Sequence, residues 1–204
     1  MADKIDHKKT LKHLYNPPTS FALVDVAPMP FLKIDGSGDP NTADTYAQAV
    51  EALYALSYAL KFAVRKATGV DYAVMPLEGL WWADDYEDFI ARRKHLWHWT
   101  MMILQPEPLP DGLLDATRAE VARKKAPPAL ERVRYETFAE GPAVQVMHVG
   151  SYDDEAPTIA AMHQYIRDNG YTETGHHHEI YLNDPRKTAP ERLKTVLRQP
   201  VQRV

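Results

Sequence analysis

Apolar positions along this chain switch repeatedly between a period near two and a period near three and a half, and the switches mark its elements. Phe31-Leu32-Lys33-Ile34 is a short apolar run closed by Asp35-Gly36-Ser37-Gly38-Asp39-Pro40, which predicts a strand and then a turn. From Thr42 the spacing becomes helical. Tyr46, Val50, Leu53, Ser57, Leu60 and Val64 fall three or four apart, so they share one face of a helix. Asn41 or Thr42 is placed to cap its start, and Gly69 to end it in the left-handed conformation. Val70–Met75 reads as a strand, Asp84–His95 as a short helix or a loop, and Leu96–Leu104 as a strand with Trp97, Trp99 and Met101 on one face. The prolines at 106, 108 and 110 must leave the sheet. Asp111–Lys125 predicts a surface helix with a solvated charged tail.

The second half repeats this grammar. Arg132–Phe138 and Val144–Val149 read as strands. Ile159, Met162, His163 and Ile166 mark a helix, with Asp153 or Asp154 before it and Gly170 after it. After the histidine run at 176–178, Glu179–Leu182 alternates as a strand and ends at Asn183-Asp184-Pro185. Thr188–Lys194 is a short helix or turn, and Thr195–Val201 a final strand. The turn glycines Gly36 and Gly150 are 150 − 36 = 114 positions apart, and Glu78 and Glu179 are 179 − 78 = 101 apart. A duplicated strand–helix–strand–strand unit accounts for both offsets. The expected fold is therefore α+β, one domain over 1–204 made of two repeats, about 20–110 and 128–204, joined by a helical linker. Residues 1–20 are expected to be a polar surface leader.

Composition narrows the function. Hydrophobic residues at 45% and charged residues at 25% are the balance of a globular protein. A formal charge of −4 offers no cationic face for phosphates, so nucleic acid is not an expected partner. Cysteine is absent, which removes thiol chemistry and fits a reducing cytoplasm. Met1–Leu14 lacks the apolar core of a signal peptide, and no run approaches the ~20 apolar residues of a membrane span. A soluble, cytoplasmic protein is the expectation, and the oligomeric state is not readable.

Glu179 is the sharpest chemical candidate. In a strand it shares a face with Tyr181. A carboxylate in an aromatic cavity loses solvation, and it then attracts a cation or takes a proton from water. Glu78 precedes Trp81-Trp82, and the expectation is that this stretch and the Glu179 strand face each other across one pocket. Trp81, Trp82, Trp97 and Trp99 are either core or the flat walls of that pocket. His176 and His178 alone of the histidine run share a face. With no cysteine and no HExxH spacing, a metal site is not expected, nor is any cofactor. His148 and His163 are read as satisfied by local hydrogen bonds. No nucleophile elbow, P-loop or dinucleotide-binding glycine pattern occurs.

One resemblance draws these residues together. Glu140-Gly141, Gln145, Val146-Met147-His148-Val149-Gly150, Tyr152, Asp153-Asp154-Glu155, His177-His178-Glu179-Ile180-Tyr181-Leu182-Asn183-Asp184-Pro185-Arg186-Lys187 and Leu193–Val201 resemble the stand-alone GyrI-like small-molecule-binding proteins. Pro76–Trp82 and Trp97–Ile103 extend the likeness over nearly the whole chain, with Ser151 standing where proline is expected. The resemblance implies two strand–helix–strand–strand repeats around a central hydrophobic cleft. It also implies a glutamate in an aromatic cleft that meets cationic drugs in related multidrug-sensing regulators; this chain has no attached helix-turn-helix domain and is not expected to be a regulator itself. Some similar stand-alone members hydrolyse the cyclopropane ring of DNA-alkylating natural products. Two functions remain open at this point. One is such a hydrolase, with Glu179, together with Glu78, as general base taking a proton from water, Tyr152 or Tyr181 as donor, and Trp81, Trp82, Trp97, Trp99, Met101 and His148 holding the ligand. The other is a module that captures cationic or amphipathic aromatic compounds unchanged.

Overall fold

A computed structural model of the chain describes residues 5–204. The strands, in chain order, are β1 (Ala22–Val26), β2 (Met29–Ser37), β3 (Glu78–Ala83), β4 (Trp97–Leu104), β5 (Arg134–Phe138), β6 (Gly141–Val149), β7 (Tyr171–Glu173), β8 (His177–Tyr181) and β9 (Lys194–Arg203). The protein is α+β, and an order of strand, helix, strand, strand occurs twice: β2, the Asp44–Thr68 helix, β3 and β4, then β6, the Glu155–Asp168 helix, β8 and β9, with the short β7 inserted after the second helix. Contacts between α-carbons group the chain into two units. One takes residues 5–7, Met29–Met75 and Trp82–Thr137; the other takes Lys8–Pro28, Pro76–Trp81 and Phe138–Val204.

In the first unit β2 and β4 pair antiparallel, from Phe31 opposite Leu104 to Ser37 opposite His98, and β5 lies beside β2. The Asp44–Thr68 helix packs on this pair and buries Ala49, Ala52, Leu53, Leu56, Ser57, Leu60 and Val64. Most of that row is the apolar stripe that the helical spacing predicts. Gly69 ends the helix at φ 76°, and its N–H bonds back to the Arg65 carbonyl. The start differs from expectation. No side chain caps the helix, and the Asp39 carboxylate instead takes up the Asn41 backbone and amide N–H groups in the preceding turn. Val70–Met75 is not a regular strand. Only Tyr72 bridges there, to Ile5, because Tyr72 is drawn into a cluster with Leu60 and Val64.

In the second unit the strand order is β1–β6–β9–β8–β3, with β7 paired on the far part of β9. β1 and β7 are absent from the sequence reading; both are short and half-exposed, without the continuous apolar signal of a central strand. The Glu155–Asp168 helix covers one face, where Val144, Val146, Met162, Ile166, Leu197 and Val201 form a core. The leader also departs from expectation. Its first four residues lie outside the described ones, but Leu14 and Tyr15 are buried rather than solvated, and the Pro18 carbonyl accepts from Met147 N–H. An isolated apolar pair in a polar stretch carries no period, so its burial is invisible to a pattern argument.

Candidate functional site

The geometry of the site follows from register. Residues opposite one another in an antiparallel ladder point to the same face, and chain neighbours point to opposite faces. Glu78 stands opposite Ile180, Gly79 opposite Glu179, Leu80 opposite His178 and Trp81 opposite His177. Glu179 is opposite Leu197, and His178 is opposite Arg198. Thus Trp81, His177, Glu179 and Tyr181 share the face on which the Glu155–Asp168 helix packs. Glu78, His178 and Arg198 share the other.

On the helix-bearing face the polar groups form a directed chain. Trp81 Nε1 donates to Tyr181 Oη at 2.9 Å, and Tyr181 Oη donates to Glu179 Oε2 at 2.7 Å. The other carboxylate oxygen, Oε1, lies 3.4 Å from His177 Nε2. Glu179 keeps 15% of its side chain exposed, whereas His177 is buried. Tyr152, at the start of a short 3-10 turn (Tyr152–Asp154), sets its ring edge-on to Tyr181, with centroids 5.6 Å apart. Tyr181 therefore sits among an indole, a second phenol and a carboxylate, and it fixes which oxygen of Glu179 is held and which faces His177. His148 lies along the same cross-strand row as Tyr181, through Thr195. Its ring nitrogens are 3.2 Å from Thr158 Oγ1 and 3.3 Å from the Ser151 carbonyl, the local satisfaction expected of it.

The opposite face holds a buried ionic network that sequence reasoning did not single out. His178 Nδ1 is 2.8 Å from Glu140 Oε1, and its Nε2 is 3.0 Å from Glu78 Oε2. Both ring nitrogens donate to carboxylates, which is the hydrogen-bonding pattern of an imidazolium. Arg198 donates to Glu140 Oε2 at 2.9 Å, to Gln145 Oε1 at 3.1 Å and to the Leu14 carbonyl at 2.9 Å. Tyr15 Oη donates to Glu78 Oε1 at 2.6 Å. Burial opposes charge on His178, but the Glu140 and Glu78 carboxylates outweigh it and raise its pKa to about 9. Burial likewise opposes ionisation of Glu140, yet His178 and Arg198 hold it down at about 2. Burial, and then the Glu78 charge, push the Tyr15 phenol well above its ordinary value. Two carboxylates thus balance one guanidinium and one imidazolium, the condition under which buried charges are tolerated.

This arrangement corrects the expectation of one pocket shared by two acids. Glu78 and Glu179 lie on opposite faces because their rungs are adjacent, and Glu78 is fully engaged by Tyr15 and His178. It also bears on the histidine run. His178 has both nitrogens committed to carboxylates and offers no lone pair to a metal. Trp81 reaches Glu179 through Tyr181. Trp82, Trp97, Trp99 and Met101 belong to the first unit. There Trp82 stacks on His98 at 5.7 Å, and Trp97 tilts against Phe89 at 5.2 Å. Trp99 and Met101 are completely buried, with Trp99 edge-on to Tyr46 at 5.3 Å, so these two are core residues. Tyr15, Glu140, Gln145 and Arg198 were missed as a set, since they come from three separate segments, the leader, β6 with the residue before it, and β9. The one available signal was the alternation of β8, which aims His178 away from Glu179.

A family model described as the GyrI-like small molecule binding domain matches residues 19–202. Among solved structures, a hydrolase from Listeria innocua is 40% identical with a TM-score of 0.83, covering 98% of this chain and 100% of its own. An uncharacterized conserved protein from Listeria innocua is 39% identical at a TM-score of 0.89, with the same coverage of 98% and 100%. The EcmrR C-terminal domain shares the fold at 16% identity and a TM-score of 0.54, covering 91% of this chain and 98% of its own. No curated protein sequence matches significantly.

Proposed function

Because this chain belongs to the GyrI-like small-molecule-binding family, we propose that it is a hydrolase that adds water to the strained cyclopropane ring of flat, electrophilic compounds, with Glu179 as general base. The observation that carries this reading is the Trp81–Tyr181–Glu179 chain, in which a partly exposed carboxylate is oriented by a phenol that is itself held by an indole. The 40% identity to a hydrolase over nearly the full chain supports the same class of chemistry.

In the reaction, a water oxygen bonds to a ring carbon as the ring carbon–carbon bond breaks. The electron pair moves into the conjugated system and onto its oxygen, while the water proton passes to Glu179. That proton then returns to the substrate oxygen, so the net change is addition of one water. The edge of Tyr152 and the ring of Tyr181 supply aromatic surface beside the carboxylate. Proton transfer by a positioned group contributes about 10²–10⁴-fold.

The deciding experiment is mass analysis of a cyclopropane fused to a conjugated ketone after incubation with the protein. Appearance of the water adduct, and its loss with Glu179→Gln, is the expected result. A compound recovered unchanged but bound would instead establish the capture module, with Glu179 as counterion to a cationic ligand.

A further inference from the structure

The solvent side of the Asp44–Thr68 helix carries a pattern that its packing on β2 and β4 does not use. Glu51, Tyr54, Tyr58, Phe62 and Arg65 are spaced three, four, four and three apart, so they form one stripe along the helix. Tyr58 is 50% exposed and Phe62 is 59% exposed, and Tyr54 stacks on Tyr58 with centroids 6.2 Å apart. Large rings left in water in a row mark an interaction surface more often than a scattered apolar residue does. Alanines at 55, 59 and 63 flank the rings and are partly buried.

We propose that this stripe pairs with the same stripe of a second copy of the chain, antiparallel, about a two-fold axis at Tyr58. The charges identify the occupant. Glu51 and Arg65 each stand seven residues from Tyr58, roughly 10 Å along the axis in opposite directions. A two-fold contact is self-complementary: if residue i meets residue j, then j meets i. Antiparallel pairing therefore sets each Glu51 against the Arg65 of the other copy, twice, with Tyr58 at the axis and Tyr54 of each copy beside Phe62 of the other. A parallel pairing would set like charges together. Lys61, buried and held by Asp71 at 2.7 Å, lies 4.9 Å from the Phe62 ring centroid. A contact made by one helix face is small against the ~1,600 Å² of a standard interface, so the dimer is reversible and concentration-dependent.

Sedimentation velocity on the full chain from micromolar to sub-millimolar concentration tests this. The expected result is a monomer–dimer equilibrium that Phe62→Glu abolishes and that Glu51→Arg or Arg65→Glu each weakens by about tenfold or more, since two attractive pairs become repulsive. The doubly reversed variant, Glu51→Arg with Arg65→Glu, recovers dimerisation. Thermal melts of every variant show whether the fold is retained, and these exposed positions are expected to leave it intact. A chain that stays monomeric throughout the range, or a dimer indifferent to both single reversals, overturns the proposal. Neither result depends on what ligand the Glu179 site takes.

Discussion

Glu78 and Glu179 occupy adjacent rungs of the β3–β8 ladder and point to opposite faces of it. Glu78 is enclosed by Tyr15 and His178 as part of a balanced set of buried charges, while Glu179 stays partly exposed beside Tyr181 and His177. The same substitution should therefore have different effects at the two positions. Glu179→Gln is expected to lower turnover of a cyclopropane substrate by about 10²–10⁴-fold with binding retained. Glu78→Gln leaves an uncompensated positive charge in the interior and is expected to destabilise the fold by ~3–5 kcal/mol. Denaturant unfolding of both variants beside their rates checks the contrast; equal stability losses would refute it.

Tyr181→Phe removes the acceptor of Trp81 Nε1 and the donor to Glu179 Oε2 together. A buried indole N–H left unsatisfied costs ~1–3 kcal/mol. The variant is expected to lose stability by that order and to slow turnover at least tenfold, because the carboxylate loses its orientation. Trp81→Phe in the Tyr181→Phe background should add little further to the loss of rate, and additive losses in such a double-mutant cycle would contradict the coupling.

The buried network makes stability fall on both sides of a mildly acidic range. His178 has a folded pKa of about 9 against an ordinary 6.5, so its contribution is full below about pH 6.5 and is lost as pH rises through 9. Glu140 has a folded pKa of about 2 against 4.5, so its contribution is full above about pH 4.5 and is lost as pH falls through 2. Melting temperature is expected to decline between pH 6.5 and 9. In Glu140→Gln the alkaline decline should shift to lower pH, since His178 loses the carboxylate that raises its pKa most. A melting profile flat from pH 6.5 to 9 would count against the imidazolium.

Gly36 on β2 is placed by a close approach. A Cβ there would lie 2.1 Å from the Trp99 ring, which is itself completely buried. Gly36→Ala is expected to cost ~1–3 kcal/mol or more through overpacking, read as a lower denaturation midpoint. Alanine at Gly112, with nothing within 4 Å but a φ of 69°, should instead cost only the smaller strain of a left-handed backbone.

Periodicity carried much of the architecture. The rows Leu53-Ser57-Leu60-Val64 and Met162-His163-Ile166 are buried where their spacing places them, and β4, β6, β8 and β9 lie where alternation or apolar runs put them. Glu179 beside Tyr181 follows from a spacing of two and nothing more. Pattern failed where burial is decided by a partner distant in the chain. Tyr15 reads as part of a polar leader, yet its hydroxyl meets Glu78, 63 positions away.

What the sequence alone determined is the class of each segment and the face on which neighbours in one segment lie, because 3.6 and 2.0 residues per turn are local properties of the backbone. What only tertiary structure decided is register. Whether Glu78 stood opposite Ile180 or opposite Glu179 is a choice of one residue, and a slip by one exchanges the faces of a strand. That choice depends on the summed packing of β3, β8, β9 and β6, with His178, Glu140 and Arg198 neutralising one another, and no single segment contains the information.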